Sequence, residues 1–137
     1  EWVSLRAKCM RILQEEARLD EIVRLVGMDA LSPQNRLTME TAKSIREDYL
    51  HQNAFHEVDT FTSLEKQEYM LRLILTFDEL AKDALDKRVD IEDILALDVR
   101  EAIGRAKYIP ETEMHKFDDI LAQIRSDMRN LTDEGEI

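Results

Sequence analysis

The chain has 137 residues, 44% hydrophobic and 36% charged, with a formal net charge of −11. That length favours one domain with a real core, and the charge argues against a basic face for nucleic acid or an anionic membrane surface. Three Gly and two Pro leave little room for the tight turns of an all-β fold, so helix is favoured before any pattern is read.

Trp2, Leu5, Cys9 and Ile12 recur at spacings of three and four, and Leu19, Ile22, Val23 and Val26 repeat the pattern. Both are helix stripes. The join near Glu15 to Ala17 suits either one continuous helix or a bent one, and Gly27 suits a C-terminal cap. Cys9 is the lone cysteine, so no intrachain disulfide forms, and its place in the stripe reads as a small buried hydrophobe. The chain opens on Glu1-Trp2 already in helical phase, as a piece of a longer protein would.

"MDALSPQN" is a turn into a second helix, with Ser32 as N-cap and Pro33 at the first helical position. Ala42, Ile45 and Tyr49 share one face of that helix, which should run to about Leu50. Next comes "HQNAFHEVDTF", residues 51–61, which has no helical period. Thr62 and Glu65 then match a capping box. The helix they open, over about 63–87, is apolar on several sides (Tyr69, Met70, Leu73, Ile74, Phe77, Leu80, Ala81), as the centre of a bundle requires.

Asp90 can cap a short helix through Ile94 and Leu95, and Asp98 with Glu101 resembles another capping arrangement, opening a helix to about Tyr108. Pro110 ends it. In the last helix Met114, Phe117, Leu121, Ile124, Met128 and Leu131 are spaced 3-4-3-4-3. That seam is too short for a coiled coil and reads as a packing stripe in the same bundle. The expected fold is all-α: a compact bundle of about six helices with one long non-helical loop at about 51–62. A single helical domain over 1–131 and a disordered tail over 132–137 complete the organisation.

Chemistry is sparse. His51, His56, Glu57 and Asp59 could ligate a metal, but their spacing matches no common zinc pattern, and neither H-E-x-x-H nor Glu-x-x-His occurs. No metal site is expected. The carboxylates of "DALDKRVDIED" lack the central Gly of a calcium loop. There is no phosphate loop and no G-x-S-x-G elbow, and no apolar run approaches the roughly 20 residues of a membrane span, so no direct membrane insertion is expected. Phe55 can stack on a flat ligand or pack inward. The residue types alone describe an acidic helical bundle that binds protein, for which a free-standing interaction module is one reading.

Four ordered segments carry a more specific signal: "EIVRLVGMDALS", "IREDYLHQNAFHEVDTF", "SLEKQEYMLRLIL" and "AKYIPE". Together they closely resemble the C-terminal domain of the catalytic A subunit of A-type and V-type ATPases, over roughly residues 1–117. "LDEIVRLVGMDALS" is also similar to a helix and turn of the β subunit of F-type ATP synthases, where the turn bears an acidic motif facing the central stalk. Asp29, Leu31 and Ser32 match that turn, while Pro33, Gln34 and Asn35 replace its acidic run.

The resemblance implies a place at the adenine end of a nucleotide pocket for Gln52, Asn53, Ala54 and Phe55, with Phe55 against the base, since a flat ring wants an aromatic face. It implies a rotor-facing turn made of Asp29, Ala30, Leu31, Ser32, Pro33 and Gln34. It further implies ATP or ADP with Mg held by the rest of the subunit, no cofactor in this chain, and no ATP hydrolysis by this chain alone. The implied partners are non-catalytic B subunits and central-stalk rotor subunits. The implied setting is an archaeal, proton- or sodium-coupled complex, cytoplasmic and peripheral on the inner face of the cell membrane.

Overall fold

The computed structural model describes residues 2–50 and 63–135. The stretch expected as the long loop lies outside the described residues, and with it Gln52, Asn53, Ala54 and Phe55. Among the described residues there are six α-helices and no strand, the all-α bundle expected.

The two N-terminal stripes form one continuous helix, α1 (Trp2–Val26). Leu5, Cys9, Ile12 and Leu19 are buried, and Ile22 and Val23 are half-buried. Val26 departs from the stripe: it is 66% exposed. Gly27 ends the helix as expected. Its φ is 91°, a backbone state open to glycine and costly for other residues, and its N–H still donates to the Val23 carbonyl at 2.9 Å.

A single 3-10 turn (Met28–Ala30) leads into α2 (Pro33–Ser44), which passes directly into a π-helical segment (Ile45–Leu50). Ala42 and Ile45 are fully buried and Tyr49 half-buried, so the expected apolar face survives the change of winding.

The central helix α3 spans Leu64–Asp86. Its cap is Ser63, whose Oγ accepts the Lys66 N–H at 3.1 Å, in place of the expected Thr62, which lies outside the described residues. Ser63 takes that role with its own N–H held by Glu111 Oε1 at 2.6 Å, in the extended conformation a cap needs (φ −66°, ψ 158°). Met70, Leu71, Leu73, Ile74, Leu75, Phe77, Ala81, Ala84 and Leu85 are all buried, which is the many-sided burial of a helix at a bundle's centre. Around it pack α1, α2 and the last helix.

The short α4 (Ile91–Leu95) is capped by Asp90, whose Oδ1 accepts the Glu92 N–H at 3.0 Å. Asp98 precedes α5 (Val99–Arg105) without capping it through its side chain. Its backbone is already helical (φ −61°, ψ −27°), so the carboxylate is not turned back over the first turn, and carbonyls of Leu97 and Asp98 receive the N–H groups of Arg100 and Glu101 instead. Two 3-10 turns, Ala106–Tyr108 and Glu111–Glu113, flank Pro110. The last helix, α6 (His115–Gly135), lays its seam on α3. Phe117, Leu121, Ile124 and Met128 are buried, and Phe117 stacks on Tyr69 with ring centroids 5.4 Å apart. The helix continues through Thr132 and Asp133, residues assigned above to the tail.

Candidate functional site

Two regions hold the residues singled out by the sequence. The first is the turn between α1 and α2. Asp29 and Ala30 lie on the 3-10 turn, Leu31 follows it, Ser32 caps α2, and Pro33 and Gln34 open that helix. Asp29, Ala30, Ser32, Pro33 and Gln34 are exposed, whereas Leu31 is 8% exposed. Leu31 therefore belongs to the anchor of the turn rather than its outer surface. Ser32 Oγ accepts the Asn35 N–H at 3.1 Å, and the Leu31 N–H donates to the Met28 carbonyl at 3.0 Å. Arg36 donates to Glu92 Oε1 at 2.7 Å and ties the first turn of α2 to α4. With Gly27 closing α1, the turn is pinned at both ends.

What it displays is mostly apolar. Leu25 is 83% exposed, Val26 66% and Met28 44%. Sequence reasoning missed these three as surface residues. The available signal was crowding, since a helix stripe uses one of two adjacent positions and leaves the other outside. Asp29 is the sole acid between Leu25 and Asn35, so the turn has little charge to offer.

The second region is made of the described residues that flank positions 51–62. Before those positions stands Asp48, on the π-helical segment. Its carboxylate faces Gly104, at whose α-carbon a methyl group would sit 3.5 Å from Asp48 Oδ1. Burial pushes the Asp48 carboxyl above its ordinary range. The Lys107 ammonium opposes that push, Glu47 adds to it, and Arg100 and Lys43 oppose it more weakly. After the stretch stand Ser63 and Lys66. Lys66 is 2% exposed and donates from Nζ to the Lys107 carbonyl at 2.8 Å. Glu111, accepting from the Ser63 N–H, is held below the usual carboxylate range by that bond, helped by the nearby Lys66 charge. None of these contacts was legible in the sequence, because Lys66 and Lys107 are far apart in the chain and share no motif.

Other chemistry is limited. No group of three or more His, Cys, Asp or Glu among the described residues is placed to hold a metal, and His51 and His56 lie outside those residues. Cys9 is buried, and burial raises its thiol against a smaller opposing effect of Arg6, the opposite of an activated nucleophile. No described helix is long and apolar enough to cross a membrane.

Comparison with known proteins gives these two regions a context. Residues 1–95 match the family described as the C-terminal domain of V and A type ATP synthase. The whole chain is 57% identical to the V-type ATP synthase alpha chain of Clostridium perfringens, covering 23% of that protein. It is 59% identical over 132 residues, 96% of its length, to the alpha chain of Acetivibrio thermocellus, covering 22% of it. The alpha chain of Thermoanaerobacter pseudethanolicus is 54% identical over 135 residues, again with 23% of its length covered. The chain thus spans less than a quarter of the relatives it matches.

Proposed function

The chain belongs to the family of C-terminal domains of V- and A-type ATP synthases, as part of their alpha chain, and from that premise we propose that it couples a nucleotide pocket to a central rotor. In this reading Phe55, with Gln52, Asn53 and Ala54, lines the adenine side of a pocket. The remainder of the subunit supplies the phosphate loop and binds ATP or ADP with Mg. The turn from Asp29 to Gln34 faces the central-stalk subunits, and non-catalytic B subunits flank the domain. The assembly sits on the inner face of the cell membrane and synthesises or hydrolyses ATP while moving ions. The chain alone has no phosphate loop and hydrolyses nothing.

The observation that supports the reading is the outward presentation of a turn hydrogen-bonded at both ends. α1 has 25 residues and so is roughly 37 Å long at 1.5 Å per residue. It packs against α2 and α3 and ends in a turn in which Asp29 and Ala30 are exposed while Leu31 is buried. A close-packed bundle transmits displacement instead of absorbing it. Movement at the base of the 51–62 stretch would reach the turn through α2, which joins the two directly. Closure of a pocket around nucleotide is the kind of motion such a lever converts.

The test is Phe55→Ala in the complete complex, with nucleotide affinity and ATP turnover measured together. The proposal expects several-fold weaker ATP binding in a fully assembled complex. Unchanged affinity would remove the 51–62 stretch from the adenine.

A further inference from the structure

The start of α5 and the residues that lead into it lie against one flank of α6 and leave a groove of about 640 Å³, open to solvent. Its floor is apolar. Leu97, Ala102 and Ile120 are half-buried there, each packed against the core while still lining the groove. Its rim is acidic, with Asp98 at the start of α5 and Asp119 and Asp127 on α6, and no Lys or Arg lines it. Asp119 and Asp127 stand about 12 Å apart along the helix, at 1.5 Å per residue. Among the described residues none of these three carboxylates pairs with a base. Acids nearby do: Glu92 holds Arg36 at 2.7 Å, Glu40 holds Arg100 at 2.9 Å, and Glu113 holds Lys116 at 3.1 Å. Asp98 does not cap α5 through its side chain, and Asp127 accepts the neutral amide of Gln123 at 2.7 Å. No group of three or more acids, His or Cys among the described residues is placed to hold a metal, so the charges are strung along the groove rather than gathered on one ion.

We propose that this groove docks a basic amphipathic helix of another subunit, which lays apolar side chains on Leu97, Ala102 and Ile120 and sets Lys or Arg against Asp98, Asp119 and Asp127. A helix suits the shape. One wall is the flank of α6 itself, and an incoming helix presents an apolar side chain about once per turn with charged neighbours beside it. Charge complementarity decides the sign of the occupant. Unpaired like charges around an apolar strip are relieved by cations and repel an acidic surface. A second copy of this chain, at a net charge of −11, and an anionic membrane are poor occupants for that reason. The groove shares no residue with the turn between α1 and α2 and does not depend on the pocket-to-rotor coupling proposed above.

The experiment uses the complete complex, with a benzophenone amino acid in place of Gln123 in the groove or, as a control, of Arg125, which is exposed and does not line it. After irradiation the linked peptides are sequenced by mass spectrometry. Position 123 is expected to link a segment of another subunit that has apolar residues at helical spacing flanked by Lys or Arg, and position 125 is expected not to. Asp98→Asn combined with Asp119→Asn should lower the yield of that link roughly five-fold, since rim charges tune an encounter more than they hold it. Both residues are exposed, so this pair of changes leaves the packing of the bundle intact. An assembled complex with no link from position 123 overturns the proposal. So does a link to an acidic or uncharged segment, to the remainder of the same alpha chain, or to a second alpha chain. An unchanged yield in the Asn pair overturns the charge complementarity and with it the basic occupant.

Discussion

Thr41 donates from its hydroxyl to Asp78 Oδ1 at 2.7 Å, across the interface of α2 and α3, with both residues almost wholly buried. The second Asp78 oxygen pairs with Lys82 Nζ at 2.8 Å, one turn further along α3. The carboxylate is thus satisfied from its own helix and from the helix that carries the turn. A buried charge holds one geometry far more strictly than apolar contact does, so this bond fixes the rotation of α2 on α3.

Thr41→Val should therefore destabilise the chain by about 2 kcal/mol, the cost of stranding a buried charged acceptor. Urea unfolding checks this: the midpoint falls while the slope stays constant, and Thr41→Ser recovers most of the loss. A Val variant within about 0.5 kcal/mol of the parent would show that the carboxylate finds another donor.

The end of α1 depends on Gly27. Its φ of 91° is strained for any residue with a β-carbon, although a methyl group there would meet no neighbour within 4 Å. Gly27→Ala should cost about 1–2 kcal/mol from backbone conformation alone. In the assembled complex it should also lower turnover, because the turn would be re-aimed. Thermal unfolding and ATP hydrolysis are the two measurements. Full stability would contradict the backbone strain, and full activity at reduced stability would contradict the importance of the turn's direction.

Asp48 gives the chain a particular pH dependence. Burial raises its carboxyl pKa above the ordinary 3.8, so the folded state binds this proton more tightly than the unfolded chain does. Stability from this group is present at low pH and is lost as pH rises through the folded pKa. Asp48→Asn removes the effect, while Glu111, whose shift has the opposite sign, remains in both proteins and cancels in the difference. The parent should lose stability relative to Asp48→Asn as pH rises from the ordinary carboxylate range toward neutrality in paired urea titrations. A parent that gains on the variant over that range would mean that Lys107, Arg100 and Lys43 outweigh burial.

Local rules read this fold well where the deciding groups are neighbours in sequence. Ser32 and Asp90 cap their helices because the hydroxyl or carboxylate and the N–H it accepts lie within three positions. The stripes of α3 and α6 likewise needed only spacing. Errors arose where a distant group decides. Thr62 and Ser63 are equivalent as caps on paper, and the cap is Ser63, whose N–H donates to Glu111. Val26 fits the α1 stripe, yet it is 66% exposed at the end of the helix. Asp98 has the right chemistry for a cap and the wrong backbone angles. Thr41 with Asp78, and Lys66 with Lys107, are partnerships between helices that no spacing announces. The turn between α1 and α2 was legible from Gly27, Ser32 and Pro33, but its apolar surface and the burial of Leu31 required the fold.

A disulfide cross-link between the α1–α2 turn and the central stalk tests the proposed contact with the rotor. Asp29 is exposed at the apex, and the native thiol of Cys9 is buried, so Asp29→Cys would offer the accessible thiol among the described residues of this chain. Paired with cysteines placed along the central stalk of the assembled complex and oxidised, it should form a disulfide with the stalk, stop ATP turnover, and release it on reduction. An introduced thiol that labels freely but never links to the stalk, in a complex that turns over normally under oxidation, would contradict the claim.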